Sequence, residues 1–284
     1  MFKAGKYNYV FIHREAAPLG PPIFEWILAK ILRKKIIYDF DDAIWLPATS
    51  IHNRHVAYFK WNKKVAYICK WSYKISCGNA YLAEFAKKYN NKVIINPTTI
   101  DTENLHIIND SMQKSEDIPI LGWTGTHSTI PYLKLIESAL QKLEVKHSFI
   151  LQVISNQPPD LNLSRLNYIE WNKLTEIQDL QNIDIGLMPL NEDNWSQGKC
   201  GFKSLQYMAL AIPALVSPVG VNKNIIEHGE NGFHCKNEED WILYIEKLIN
   251  DKMLRKKMGV KGRIKVVEQF SILSNKENFL KLFE

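Results

Sequence analysis

The chain has 284 residues, 46% of them hydrophobic and 23% charged, an ordinary globular composition with room for two domains of about 100 to 150 residues each. Thirty-six Lys and Arg stand against 30 Asp and Glu, a net charge of +6, and so small an excess names no partner among nucleic acid, anionic lipid and phosphorylated small molecules. The four cysteines, Cys69, Cys77, Cys200 and Cys235, contain no CxxC pair, so a disulfide framework is excluded and a reduced, cytoplasmic protein is expected.

Residues 1–9 (MFKAGKYNY) lack the apolar core that a secretion signal needs. Strands are predicted at 10–13 (VFIH), 36–40 (IIYDF), 75–77 and 93–96 (VIIN), with helices at 24–32 and 81–89 from the spacing of their apolar residues. The polar run 101–117 (DTENLHIINDSMQKSED) reads as an interdomain connection, which puts the first domain at 1–100. A fuller series follows within 118–265. It has strands at 120–123, 149–154, 168–170, 183–188, 214–217 and 232–234, and helices around 132–143 and 202–210. The mostly apolar stretch 204–221 is interrupted by Pro213 and Pro218 and contains Gln206, so it reads as a buried helix running into a buried strand rather than a membrane span. Alternating strands and helices of this kind predict an α/β fold with parallel sheets. A doubly wound domain opens with a strand, a glycine-rich turn and a helix. The first domain lacks that opening and has only about four strands. It is therefore small by nature, or the sequence begins after the loss of roughly two βα units of about 30 residues each.

Chemistry concentrates at two places in the second domain. Residues 121–129 (LGWTGTHST) follow a strand and lead into a helix, where backbone N–H groups and the helix dipole hold a diphosphate. Gly122, Gly125, Thr124, Thr126, Ser128 and Thr129 belong to this turn, and the alternative is that they only make the turn and cap the helix. The second place is 198–213 (GKCGFKSLQYMALAIP). Lys199 is expected at the mouth of a helix beginning near Gly201 and Lys203 in its first turn, four residues apart and able to face one pocket. Cations there oppose the helix dipole, so a bound anion is the compensating partner, against the alternative of two solvated lysines. Gln206 lies one turn beyond Lys203.

The run 198–233 (GKCGFKSLQYMALAIPALVSPVGVNKNIIEHGENGF) resembles the donor-binding region of glycosyltransferase family 4, retaining enzymes of the GT-B fold. GWTGTHST and VIINPTTID resemble that family's phosphate loop and interdomain crossing, and the likeness covers most of the chain from about Ile36 onward. The resemblance implies two Rossmann-like lobes facing across a cleft. The incomplete first lobe, 1–100, binds the acceptor, 118–265 bind a nucleoside diphosphate sugar of UDP or GDP type, and the last helix, 266–284, returns to the first lobe. It implies a retaining glycosyltransferase that needs no metal and no cofactor, working in cell-surface polysaccharide or lipopolysaccharide synthesis. The family's Glu-x7-Glu signature falls on Gly198 and Gln206. Gln206 still offers an amide to a ribose diol, whereas Gly198 has no side chain for the sugar. A noncatalytic sugar-nucleotide-binding or scaffold protein is the alternative, while an oxidoreductase is disfavoured because the glycines lack the G-x-G-x-x-G spacing.

The residues expected at the donor are therefore Gly122, Thr124, Gly125, Thr126, Lys199, Lys203, Gln206 and Glu227, with Lys199 and Lys203 stabilising the leaving group. On the acceptor side His13, Arg14 and Glu15 follow a strand, with His13 or Glu15 able to orient a hydroxyl. Asp39, Asp41 and Asp42 end another strand, placed to contact an acceptor or a metal or else to cap the next helix. His52 and His55 have no third ligand nearby and read as a surface pair. Arg33, Lys34 and Lys35 follow an apolar helix, and residues 58–74 interleave Lys60, Lys63, Lys64, Lys70 and Lys74 with Trp61, Tyr67 and Trp71. That pattern suits an anionic membrane surface and a lipid-linked acceptor, or a solvated helix with a packed aromatic face.

Overall fold

Residues 4–47, 61–108 and 118–284 are described by a computed structural model, and the chain falls into two units. The first is assembled from Met1–Thr98, Asp193–Cys200 and Asn275–Glu284, the second from Thr99–Glu192 and Gly201–Ser274. The expected connection therefore divides: its first residues, 101–108, cluster with the second unit, and 109–117 lie outside the described residues, as do His52, His55 and Lys60.

The first unit holds a parallel sheet in the order β1 (Tyr9–His13), β2 (Lys35–Phe40), β3 (Lys74–Cys77), β4 (Val93–Ile95). Ile36, Ile37 and Tyr38 are buried in succession on β2, as a parallel strand covered on both faces requires. Ile36, Tyr38, Phe40, Ile68, Ile75 and Leu82 form its core with the helices Lys64–Trp71 and Ala80–Lys87. Asn79 caps the second of these by accepting from the Leu82 N–H at 2.9 Å. The helix expected at 24–32 is instead one α turn, Ile23–Trp26, running into a π turn, Ile27–Ile31. It buries Leu28 and leaves Trp26 and Ile31 exposed.

The second unit is a six-stranded parallel sheet, ordered β10-β9-β8-β5-β6-β7, with β5 (Ile120–Gly125), β6 (Ile150–Ser155), β7 (Leu166–Glu170), β8 (Ile185–Met188), β9 (Ala214–Val216) and β10 (Gly232–His234). The chain moves from β5 outward to β7, then crosses to the other side of β5 at β8. The carboxyl ends of β5 and β8 thus flank a topological switch point, where open α/β sheets bind ligands. Leu140, Trp241 and Ile245 pack on Leu121 and Leu151 in one core, and Leu205, Met208 and Ile183 on Ile154 and Val216 in another. Pro131 opens the segment after β5, and the expected helix there begins as a 3-10 turn, Ile130–Ile136, before turning α at Glu137–Glu144.

The α/β class and the two parallel sheets are as the sequence predicts. Gly122 is not where it was expected. It lies inside β5, and a Cβ there would stand 2.2 Å from Ile183 Cδ1, so this glycine serves packing rather than a ligand. Among the described residues no helix is long and apolar enough to cross a membrane.

Candidate functional site

The carboxyl ends of the four strands of the first unit carry its polar chemistry. His13, the last residue of β1, sends Nδ1 to Asp39 Oδ2 at 2.7 Å. Asp39 Oδ1 accepts from Ser76 Oγ at 2.5 Å, Ser76 Oγ accepts from Asn96 Nδ2 at 3.0 Å, and Asn96 Oδ1 accepts from Asn278 Nδ2 at 2.6 Å. The Asp39 carboxylate accepts from a proton-bearing Nδ1 and so fixes the orientation of the ring. The His13 side chain is 52% exposed, and its Nε2 lies 3.8 Å from Asp41 Oδ1. His13, Asp39 and Ser76 sit on three different strands, Asn96 just beyond β4 and Asn278 on the helix Ile272–Leu280, which fixes the imidazole more firmly than one loop can.

Beside this chain is a closed ion network. Arg14 has φ 61, in the left-handed region that a non-glycine residue seldom enters, and its backbone N–H is held by Asp39 O at 2.7 Å. The guanidinium makes a two-point contact with Asp41, Nε to Oδ1 at 2.7 Å and Nη2 to Oδ2 at 3.0 Å, and reaches Asp42 Oδ2 at 3.0 Å. Lys199 Nζ meets Asp42 Oδ1 at 2.9 Å. Burial opposes the ionisation of Asp41, but the hydrogen bond and charge of Arg14 outweigh it and hold the carboxyl below its ordinary range. Two cations and two anions thus neutralise one another. Glu15 leaves the group for Lys64, whose buried ammonium it meets at 2.7 Å.

The segment Asp193–Cys200 is stapled to the first unit. Asn79 Nδ2 donates to Gly198 O at 3.1 Å and Lys199 O at 3.2 Å, and Cys200 Sγ donates to Asp41 O at 3.1 Å. Burial, then Asp41 and Asp42, push the Cys200 thiol up to about 12, so it stays protonated as a donor. A Cβ on Gly198 would come within 2.8 Å of the Ala43 backbone, and one on Gly78 within 2.3 Å of Cys200 Sγ. The G-K-C of the motif is therefore a docking piece. Lys199 clusters with the first unit, its ammonium on Asp42, and Lys203 with the second.

In the second unit Lys203 stands in the first turn of the helix Phe202–Ala209, its ammonium 5.3 Å from the centre of the Trp123 ring of β5. Gly201 begins that helix at φ 72, a conformation suited to glycine, and a Cβ there would strike Ile225. At the end of β5, Gly125 is required by Trp123 and Thr129, whose side chains would lie within 2.7 Å of a Cβ. The turn after it is internally bonded. Thr126 N donates to Thr129 Oγ1 at 3.2 Å, His127 N to Asn156 Oδ1 at 2.7 Å, and Thr126 Oγ1 pairs with Ser128 Oγ at 2.8 Å. Thr124 is buried and gives its N–H to Tyr207 Oη at 3.1 Å. The Thr126 and His127 amides are thus already engaged within the turn.

Gln206 is buried and donates Nε2 to Glu176 Oε1 at 3.1 Å. Glu176 begins the helix Glu176–Gln181 beyond the carboxyl end of β7. Glu227 is tied by Lys265 at 2.7 Å, which also holds Asn224 O. Sequence reasoning missed Ser76, Asn79, Asn96 and Glu176. Only Asn79, preceding an apolar helix after a glycine, carried a readable local signal, that of an N-cap.

Residues 166–265 match the sequence profile of the family described as Glycosyl transferases group 1. No curated protein matches the chain. Among solved structures it is similar to HepE of Anabaena in complex with UDP and glucose, at TM-score 0.77 and 12% identity over 99% of this chain and 79% of that one. It is similar to sucrose-phosphate synthase of Thermosynechococcus elongatus, at TM-score 0.69 and 10% identity over 98% and 74%. TarM, at TM-score 0.73 and 14% identity, is covered over 54% of its length by 97% of this chain. With its two parallel sheets, the chain has the fold of the GT-B glycosyltransferases.

Proposed function

We propose that the chain moves a sugar from a nucleoside diphosphate sugar, of UDP or GDP type, to an acceptor hydroxyl in cell-surface polysaccharide or lipopolysaccharide synthesis. The observation that carries this reading is Lys203, a cation in the first turn of a helix, beside β5 at the switch point, inside the stretch that matches the group 1 glycosyl transferases. On this reading the second unit is the donor side and the first the acceptor side, and the acceptor is a sugar or lipid-linked sugar met at the inner face of the cell membrane.

Breaking the bond from the anomeric carbon to the diphosphate sends its electron pair to the leaving group, whose growing charge Lys203 offsets. The acceptor oxygen forms the new bond from the same face. Its proton passes to a diphosphate oxygen, so configuration is retained with no metal and no cofactor. His13 holds the acceptor by accepting at Nε2 a hydrogen bond from a neighbouring acceptor hydroxyl, not the one that reacts.

A second reading is favoured by the His13–Asp39 pair itself, which is built as a general base is built. If His13 takes the proton, attack comes from the opposite face and configuration inverts. Turnover with a panel of UDP and GDP sugars, with proton NMR of the first-formed anomer, tests both. Nucleotide binding without turnover across the panel would instead favour the noncatalytic scaffold.

A further inference from the structure

The first unit carries a surface that its strand-end chemistry does not use. A cavity of about 460 Å³ opens beside the helices Ile23–Trp26 and Lys64–Trp71, lined by Pro22, Ile23, Trp26, Trp61, Tyr67 and Trp71. Trp61 and Tyr67 stack with ring centres 5.5 Å apart, and Tyr67 and Trp71 lie 5.8 Å apart. The rings are half out in water, with Trp26 44%, Trp61 39% and Tyr67 45% exposed. Phe24 and Ile31 continue the apolar surface on the same helical segment. Contiguous exposed apolar surface of this kind marks a binding face rather than a core.

Charge decides what it binds. Residues 18–35 hold Lys30, Arg33, Lys34 and Lys35, and residues 61–74 hold Lys63, Lys64, Lys70 and Lys74, against one acid, Glu25, which is buried. Lys64 is spent on Glu15, Lys34 on the Gly5 and Tyr7 carbonyls, and Lys35 and Lys74 lie over the Tyr73 ring. Lys30, Arg33, Lys63 and Lys70 remain exposed with no carboxylate partner among the described residues. Protein interfaces deplete lysine. Trp and Tyr lining an apolar slot, with Lys30, Lys63 and Lys70 on or at the ends of the same helical segments, match instead the layered polarity of an anionic bilayer surface.

We infer that this groove seats the first unit on an anionic lipid bilayer, the aromatic slot taking a hydrocarbon chain while the four cations meet headgroup phosphates. The inference deepens the acceptor-side reading of this unit by making the acceptor's carrier a lipid. It rests on that reading only for this last step, because the contact itself is measured without any sugar.

The test is flotation of the full chain with vesicles of phosphatidylcholine alone and of phosphatidylcholine with one part in three of phosphatidylglycerol. Recovery with the anionic vesicles is expected to exceed that with neutral ones by about ten-fold or more. Lys30→Glu with Lys70→Glu should erase the difference. Trp26→Ala with Trp61→Ala should lower recovery on both vesicles, while circular dichroism and thermal midpoints report that the variants remain folded. Tryptophan quenching of the unaltered chain by lipids brominated on the acyl chain is expected in anionic vesicles and needs no variant. Equal recovery of the parent on both vesicles, or no quenching, overturns the proposal. So does a self-association without lipid that the tryptophan changes abolish, since the groove would then be an interface between copies of the chain.

Discussion

Gln206 donates its amide to Glu176 at 3.1 Å and is itself only 2% exposed, so a ligand on this side of the second unit meets the Glu176 carboxylate and not the Gln206 side chain. A carboxylate presents two acceptor oxygens to a diol, and a fixed donor behind one of them sets its rotamer. Glu176→Gln and Gln206→Ala are each expected to weaken UDP or GDP binding by about ten-fold, from the loss of roughly 1.5 kcal/mol in a charge-assisted contact. The double variant should lose little more than either single one. Calorimetry on the three proteins checks this, and parent-like binding by Glu176→Gln alone would return the contact to Gln206.

Lys203→Ala is expected to weaken nucleotide binding by about ten-fold to a hundred-fold, from roughly 1.5 to 3 kcal/mol of phosphate contact. Turnover should fall further than binding if the contact tightens as the leaving group gains charge. Lys199→Ala should leave nucleotide affinity near the parent's, because its ammonium is engaged by Asp42. Titration with UDP and GDP reads both. A folded Lys203→Ala that binds like the parent would remove the donor from this helix.

Asp39→Asn keeps the size of the side chain but not its hold on the Nδ1 proton of His13. Turnover is expected to fall at least about ten-fold with little change in KM, and His13→Ala in the same background should add little. A purely structural Asp39 would instead lower the thermal midpoint and leave kcat per folded molecule unchanged.

His106 is buried, and burial lowers its pKa below the ordinary 6.5, with the Asp101 backbone and the Glu176 charge opposing and Arg263 acting with burial. His234 is lowered in the same sense, first by burial. The folded state thus binds these protons less readily than the unfolded one. Their stability contribution is whole above about pH 6.5 and is lost as pH falls below it toward the folded pKa, with a slope approaching about 1.4 kcal/mol per pH unit for each group. Urea midpoints at pH 7.5 and 5 should show the loss, and His106→Phe should shrink it. A variant with the parent's pH dependence would assign the loss elsewhere.

Gly259 lies where the helix Lys252–Lys265 crosses the backbone of Ala211, and a Cβ there would sit 1.8 Å from the Ala211 carbonyl oxygen. Gly259→Ala gains up to about 1 kcal/mol of helix propensity, yet the clash with backbone should cost more, for a net loss of roughly 1 to 3 kcal/mol. At Gly262 the nearest atoms belong to the Met208 side chain, at 3.2 Å and beyond, so Gly262→Ala should come out closer to neutral. Thermal midpoints rank the two, and the reverse order would refute the packing argument.

The strands were legible because their signal is local: VFIH, IIYDF and VIIN are apolar runs bounded by turn residues, and each forms a parallel strand. Pro131 marked a break that apolar spacing alone passed over, and the helical spacing at 24–32 did not reveal the π turn. The site was less readable because its partners are far apart in sequence. Asp39 is 26 residues from His13, Ser76 is 37 from Asp39, and Asn278 is 182 from Asn96. Gln206 was named for a ligand because its spacing matched a signature, but spacing does not tell which way an amide points. Lys199 was paired with Lys203 by a four-residue interval, but the helix begins only at Phe202, so that interval is not a helical one.

The threading of the first unit also has a bearing on how the protein is made. Its sheet comes from the opening of the chain, but the segment that Asn79 holds is not synthesised until residue 200, and the amide that closes the His13 chain of hydrogen bonds arrives only with Asn278. As the ribosome delivers the chain from its N-terminus, the four-stranded sheet waits with part of its covering absent while the central sheet is built. Contacts spanning so much sequence form late, since the long loops between must close first. Maturation of the histidine is therefore coupled to the last helix, and a nascent chain stalled before residue 275 holds an imidazole whose outermost support is missing.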